Sequence, residues 1–485
     1  MALEAIIGLE VHAQLLTRSK MFCRCSTDPS AGPNTVVCPI CTAMPGVLPV
    51  INRRAVELVV RTGLALNCSI ASHSIFARKN YWYPDLPKNY QISQYELPLC
   101  RDGYLDIDVN GQKRRIRIRR VHLEEDTGKL YHTAGNESRI DFNRCGVPLM
   151  EIVSEPDMRS ADEAREYLVA LRQVLRYIGV CTGNMEEGSF RCEPNVNVRD
   201  TESGAKTGIS ELKNLNSFRA VHQSVDFEIA RHTRLLQRGE TVPRQTRRWH
   251  PSDESRGGYT DVMRSKEEAH DYRYFPEPDL VPMRIGDDWL SEIRAGMPEL
   301  PQQKRERFVS QYALTPYDAG VLTQSLEFAQ YFEAAVAACR AGQVAEAAKR
   351  VSKWLQGEMS RLLNETGQDI ADVPARPEHV AELLELVEEG KLTGTIAKEV
   401  FEEMFRTGKP APQIVSERGI EVVGDASELE RIVDQVLADH AEVVAKVKSG
   451  KTQSKGFLVG QVMKATRGQA VPQIVNDIID RRLGV

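Results

Sequence analysis

Ile7-Gly8-Leu9-Glu10-Val11-His12-Ala13-Gln14-Leu15 alternates apolar and polar side chains with a period of two. That period predicts a strand, because successive side chains leave a strand on opposite faces. Ile7, Leu9, Val11, Ala13 and Leu15 then make an apolar back, and Glu10, His12 and Gln14 project together from the front. Ser189 to Arg199 repeats the arrangement. Phe190, Cys192, Val196 and Val198 share one face, and Ser189, Arg191, Glu193, Asn195, Asn197 and Arg199 share the other. A solvated sheet face explains one such strand as readily as a site does. Solvated faces favour Lys, Thr and Glu, however, whereas a row of Arg, Asn, Ser and Glu suits phosphate, ribose or metal-bound water.

Working outward, Gln112 to Leu123 and Cys145 to Val153 also read as strands. Two helices interrupt them. Ser160 with Glu163 forms a capping-box pattern, followed by an apolar stripe of Leu168, Leu171, Leu175 and Ile178. A second helix starts at Ser217, with Phe218, Val221, Val225 and Ile229 on one face. Residues 1–294 are therefore expected to form one large α+β domain with an antiparallel sheet. Residues 295–408 change to helical spacing: Val380, Leu383, Leu384 and Val387 fall at i, i+3, i+4 and i+7, and Gly390 suits the residue after a helix end. Pro410-Ala411-Pro412 reads as a hinge into a small all-α module over 409–485.

The chain has 485 residues, 41% hydrophobic and 27% charged, which is ordinary for a folded protein of several domains. A disordered tail, a collagen-like fibre and a disulfide-dense scaffold are excluded. The net charge of -5 is unevenly spread, because residues 441–485 carry +5 and the remainder -10. Lys446, Lys448, Lys451, Lys455, Lys464 and Arg467 lie in that segment with no acid between Lys446 and Arg467, which makes it the candidate nucleic-acid grip. No apolar run approaches the ~18 residues of a membrane span. Glu10 and His12 also break the early apolar stretch, so a cytoplasmic protein is expected.

Four of the ten cysteines fall close together, as Cys23-Arg24-Cys25 and Cys38-Pro39-Ile40-Cys41. Two short-spaced pairs across a loop are how a zinc knuckle arranges four thiolates. Four partly buried free thiols are the alternative. A closed four-cysteine site has no open coordination position, so its metal would be structural.

Carboxylates also gather at turns and strand ends: Glu124, Glu125, Asp126, Glu151, and Glu211 with Lys213 at the same parity. Converging carboxylates repel unless protonated or bridged by a cation, and magnesium is the usual bridge in a nucleotide site. Surface salt bridges explain any single one of these acids equally well. No Walker A motif or kinase-type glycine loop is present in the sequence, so an ATP site here is of another kind. The aromatic segments Lys79 to Gln91 and His270 to Pro276 suit either base stacking or a self-clamped loop. Lys113 to Arg120 holds six basic residues, open to a phosphate backbone, a subunit interface or a solvated edge.

These motifs together resemble the B subunit of the aspartyl/glutamyl-tRNA(Asn/Gln) amidotransferases. The resemblance rests on Ile7-Gly8-Leu9-Glu10-Val11-His12, Cys38-Pro39-Ile40-Cys41 running into Met44-Pro45-Gly46, and Tyr83-Pro84-Asp85-Leu86-Pro87-Lys88-Asn89-Tyr90-Gln91. His122-Leu123-Glu124-Glu125-Asp126, Asn143 to Glu151, Met185-Glu186-Glu187-Gly188-Ser189, Glu211 to Asn216 and Val462-Met463-Lys464-Ala465-Thr466 extend it over nearly the whole chain. One departure is Cys192-Glu193-Pro194-Asn195, where the family more often has Asp-Ala in the middle; Glu193 keeps the acid.

The resemblance implies an ATP-dependent carbon–nitrogen ligase with glutamine as amido donor. Its substrates would be mischarged Glu-tRNA(Gln) and Asp-tRNA(Asn). It would work in a heterotrimer with an amidase (A) subunit, which supplies ammonia, and a small (C) subunit. By similarity, His12, Glu125 and Glu151 would hold magnesium, with Glu10 beside them. Lys79, Ser189, Arg191, Asn195, Glu211 and Lys213 would contact ATP. Cys23, Cys25, Cys38 and Cys41 would hold structural zinc, and the basic C-terminal module would grip the tRNA.

Overall fold

The computed structural model describes all residues except 1, 134, 136, 253–256, 266–268, 341, 343, 421–425, 449–453, 467–469, 471 and 485. The chain divides into two units, Met1–Leu300 and Pro301–Val485.

The first unit is built on a nine-stranded sheet. Its strands are β1 (Leu3–Gln14), β2 (Ser69–Ile70), β3 (Cys100–Val109), β4 (Gln112–Glu125), β5 (Pro148–Ser154), β6 (Phe190–Asp200), β7 (Ser210–Lys213), β8 (Gln245–His250) and β9 (Tyr259–Ser265). They lie in the order β9-β8-β7-β6-β1-β5-β4-β3-β2. All neighbours run antiparallel except β7 and β8, which are parallel. The alternation in β1 does what its sequence requires: Ile7, Leu9, Val11 and Ala13 are fully buried.

Three helices complete the core behind the sheet: α1 (Arg53–Ala65), α2 (Ala161–Tyr177) and α3 (Phe218–Gln237). Leu58, Leu168, Leu171, Val221 and Val225 join the β1 residues in one apolar cluster. The two expected helix starts are capped. Ser160 Oγ accepts from Glu163 N at 3.1 Å while Arg159 N donates to the Glu163 carboxylate at 2.7 Å. Ser217 Oγ accepts from Ala220 N at 3.1 Å. Each satisfies an N–H that the first helical turn leaves without a partner. The opposite, polar face of the sheet meets a three-stranded sheet of Ala77–Asn80, Tyr90–Ser93 and Phe275–Pro276, tied to β4 through Gln91.

The second unit is helical, with one apolar cluster around Phe308, Phe332, Val380 and Phe401 and another around Leu429, Val433, Leu458 and Ile478. Gly390 closes the Pro377–Glu388 helix at φ +71°. Two expected boundaries move. Ile293, Met297 and Leu300 pack into the first unit's core, so the division falls at 300 rather than 294. Pro410-Ala411-Pro412 is not a hinge but the start of a helix, Ala411–Arg418, whose Ala411 and Ile414 are fully buried in the first helical cluster. Proline costs nothing in a first turn, where its missing N–H would have no partner, so the same residues serve a start as well as a break. Among the described residues no helix is long and apolar enough to cross a membrane.

Candidate functional site

Register converts the strand parities into one surface. Across β6, β1, β5 and β4, Arg191 faces His12, His12 faces Glu151 and Glu151 faces His122. Directly opposed residues share a face, so these four form a polar row. Glu193 faces Glu10 one step along, and Asn195 faces Glu211 of β7.

Two groups of potential ligand atoms result, each within 4.8 Å of one another: His12 with Glu124 and Glu151, and Glu10 with Glu193 and Glu211. In the first group, His122 Nε2 lies 3.0 Å from Glu124 and 2.9 Å from Glu151, and Gln91 Nε2 donates to Glu124 at 2.6 Å. Burial works against a charged Glu151, but His122 and His12 outweigh it and hold its carboxyl well below the usual range. Burial also works against a charged His122, yet Glu151 and Glu124 raise its pKa above the ordinary imidazole value.

The second group is held from three sides. Asn195 Nδ2 donates to Glu10 at 3.0 Å, Lys213 Nζ to Glu193 at 2.6 Å, and Thr246 Oγ1 of β8 to Glu211 at 2.7 Å. Burial opposes both charges of the Glu193–Lys213 pair, and their mutual attraction overcomes it, lowering the acid and raising the amine. Oxygen donors with one imidazole are the ligand set of a hard divalent cation, and clustered acids of this kind call for one.

Glu125 is a correction. Period-two alternation sends it to the other side of β4 from Glu124. There it accepts from Lys88 Nζ at 2.5 Å and from Ile92 N at 3.0 Å. It lines a cavity of about 340 Å³ with Lys20, Cys41, Met44, Lys88 and Tyr90. The carboxylate beside His12 and Glu151 is Glu124.

The other expected nucleotide contacts fall out unevenly. Arg191 donates to Asp126 at 2.7 Å, and Gln14 donates to the same oxygen at 2.8 Å. Lys79 is half-buried, with its ammonium 4.7 Å from the Tyr272 ring centre. Burial opposes its charge, but Glu124 leads the groups that raise its pKa. Ser189 spends its hydroxyl on its own turn, donating to Asn184 O at 2.9 Å and accepting from Asn184 N at 3.2 Å.

The four clustered cysteines place their sulfurs within 4.8 Å of one another. The hydrogen bond from Cys23 outweighs burial and holds Cys41 down to about 4, a thiolate at neutral pH, with Lys20 Nζ 3.6 Å away. Four close sulfurs with a ready thiolate fit a structural zinc.

In the basic tail, Lys446, Lys448 and Lys464 are exposed, while Lys455 is tied to Asp480 at 2.5 Å. Lys451 and Arg467 lie outside the described residues. The basic stretch of β4 carries its own acids: Arg115 pairs with Asp106 at 2.8 Å, Arg117 with Asp157 at 2.7 Å and Arg119 with Glu155 at 2.8 Å. The two aromatic loops meet where Tyr81 stands edge-on to Tyr272 with ring centres 6.1 Å apart, which favours the clamped reading for those two rings, while Tyr274 stacks at 4.3 Å on Tyr95, beyond the first loop.

Known proteins match the chain along most of its length. The GatB/GatE catalytic domain family matches residues 5–291, and the GatB domain family matches residues 330–483. The B subunit of the aspartyl/glutamyl-tRNA(Asn/Gln) amidotransferase from Thermodesulfovibrio yellowstonii is 53% identical over 99% of both chains. Its counterpart from Thermoanaerobacter pseudethanolicus is 51% identical over 100% of both. The chain belongs to the B-subunit family of the aspartyl/glutamyl-tRNA(Asn/Gln) amidotransferases. As a member of that family of glutamine-dependent ligases it is part of an enzyme. Both carboxylate groups and the cysteine cluster of this B subunit lie inside the matched catalytic region.

Five contributors to this polar surface escaped the sequence reading as site residues: Glu124, His122, Glu193, Gln91 and Thr246. Parity puts Glu124 on the face of His122, but only the pairing of His122 with Glu151 shows that this is the face of the site. Gln91 and Thr246 depend on which strand pairs with which, and no local pattern carries that.

Proposed function

We propose that this chain activates the side-chain carboxylate of Glu-tRNA(Gln) or Asp-tRNA(Asn) with ATP and delivers it to ammonia, yielding Gln-tRNA(Gln) or Asn-tRNA(Asn). A free carboxylate is a poor acyl donor, because it would have to expel oxide. The carboxylate oxygen attacks the γ-phosphorus, the bond to the bridging oxygen breaks, and ADP leaves. Ammonia then attacks the acyl carbon, the carbon–oxygen bond breaks, inorganic phosphate leaves and a proton is lost.

The observation that carries this reading is the pair of carboxylate groups on one sheet face, flanked by Lys79 and Lys213. His12, Glu124 and Glu151 would hold one magnesium ion, and Glu10, Glu193 and Glu211 would hold another. Bound there, magnesium supplies charge neutralisation of the phosphates. Lys213 and Lys79 offer further positive charge to the transferring group. His122, bridging Glu124 and Glu151, fixes their orientation, the usual office of an outer-shell partner. Arg191, anchored by Asp126, and Asn195 complete the nucleotide-facing row, and the four thiols take zinc. The C-terminal module grips the tRNA, ammonia comes from the amidase (A) subunit, and the small (C) subunit completes a cytoplasmic heterotrimer.

The test is a reconstituted complex carrying Glu124→Gln, assayed for ATP-dependent amide formation on mischarged tRNA and for tRNA affinity. Turnover should fall by about 100-fold or more with affinity within twofold. Unchanged turnover would remove the catalytic assignment and leave a protein that only presents tRNA.

A further inference from the structure

The polar face of β4 changes phase midway. Ile116 and Ile118 are buried on the core side, and so are Val121 and Leu123. The switch from even to odd needs an extra residue. The register shows it: Val153 of β5 faces Arg120, while the next residue, Ser154, faces Ile118. On the other side Arg101 faces Arg120 and Gly103 faces Ile118, and the intervening Asp102 adopts φ +56°. Bulges of this kind re-aim side chains. Here the bulge turns Arg120 onto the same face as His122 and Glu124.

The arginines differ sharply in company. Arg115, Arg117 and Arg119 each have a carboxylate within 2.8 Å. The Arg120 guanidinium has no ion pair or hydrogen bond among the described residues, and its Nε is buried without a partner. The guanidinium of Arg101, directly across on β3, likewise has none among the described residues. Like charges placed opposite one another repel, and this pair lacks the acids that Arg115, Arg117 and Arg119 possess. Beside them Tyr274, which feels the charge of Arg120, stacks on the partly exposed Tyr95 with ring planes 7° apart.

We propose that Arg101 and Arg120 hold a backbone phosphate of the unpaired 3′ end of the tRNA, with Tyr95 and Tyr274 as the platform for a neighbouring base. This rests on the amidotransferase reading above. Two guanidinium forks match a phosphate's oxygens, and unpaired nucleotides combine phosphate contacts with ring stacking. A nucleotide triphosphate at Lys213 is a poorer match, since β7 and β4 are four strand spacings apart, roughly 19 Å. His122, two residues along β4, lies only about 7 Å from Arg120. A chain end fixed at the arginines therefore delivers its amino acid to the carboxylate groups.

The test uses the full complex with Arg101→Gln, Arg120→Gln and both together. The probes are mischarged Glu-tRNA(Gln) and the same tRNA trimmed of its unpaired 3′ nucleotides. The double variant should bind intact tRNA roughly tenfold more weakly, with KM for ATP within twofold. Its salt dependence of log K should lose about 0.7 of slope. Trimming should weaken the wild-type complex but not the double variant, and Arg120→Lys should keep part of the affinity. Equal trimming losses in both proteins, unchanged tRNA affinity, or a raised KM for ATP in place of a tRNA effect would each overturn the proposal. Binding is read without turnover, so a complex that binds as expected yet does not amidate would count against the catalytic reading alone.

Discussion

Glu228 offers the sharpest test of how the sheet is held. It sits on α3, fully buried behind the strands that carry Glu211 and Lys213. Arg231 donates to it at 2.8 and 3.0 Å, Arg247 of β8 lies at 3.2 Å, and Thr260 Oγ1 of β9 donates at 2.5 Å. One carboxylate thus faces two guanidiniums. Glu228→Gln keeps the shape and removes the charge, leaving the buried Arg247 and the partly buried Arg231 without the carboxylate they share. Removing one partner of a buried ion pair costs about 3–5 kcal/mol. With a urea dependence of about 3 kcal/mol per molar, the midpoint of the 1–300 unit should fall by roughly 1–1.7 M. Hydrogen exchange at β8 and β9 along the urea series reads this locally. The pH dependence gives a second check. Burial would raise the Glu228 carboxyl, but hydrogen bonds from His232 and Arg231 outweigh it and hold the pKa far below the usual range. A depressed carboxyl stabilises the fold above its unfolded pKa of about 4.3 and loses that contribution as pH falls through the folded value. The gap between wild type and variant should therefore be constant from pH 8 to 5 and narrow only below about pH 4. A midpoint shift under about 0.3 M, or a gap that closes between pH 8 and 6, would refute the reasoning.

Other outcomes are expected on the same grounds. Glu125→Gln should leave the magnesium concentration for half-activity unchanged, whereas Glu124→Gln should raise it at least ~10-fold in a metal titration. Metal analysis should find one zinc per chain in the wild type and none in Cys41→Ser, whose thermal midpoint should also drop. Deleting residues 421–485 should weaken tRNA binding and flatten its salt dependence while the rest stays folded. Deletion from 410 should in addition destabilise the helical cluster by ~2–5 kcal/mol, because it removes buried Ile414. Equal denaturation midpoints for the two deletions would contradict the placement of that helix.

Much of the fold was legible because its signals are local. The alternation of residues 7–15 and 190–198 set both the strands and their polar faces, and Ser160 and Ser217 marked helix starts through their own hydroxyls. What stayed hidden depends on distant partners. Lys113 to Arg120 reads as a basic stripe, yet Asp106, Asp157 and Glu155 neutralise much of it from another strand and from the turn after β5. Likewise Lys455 lies in a sequence window without acids and finds Asp480 on another helix. Glu124 and Glu125 are adjacent in sequence and resemble one another chemically, so only pairing with Glu151 through His122 tells them apart.

The two-faced character of β1 also bears on how such a chain can vary. A point substitution in the strand alters one side chain on one face. Loss or gain of a single residue between Leu3 and Gln14 would instead transpose the faces, sending Glu10 and His12 inward and Leu9 and Val11 outward. The strand therefore has something like a reading frame. Its length is under far tighter constraint than its composition, and a library of variants should tolerate many replacements there and almost no insertions or deletions.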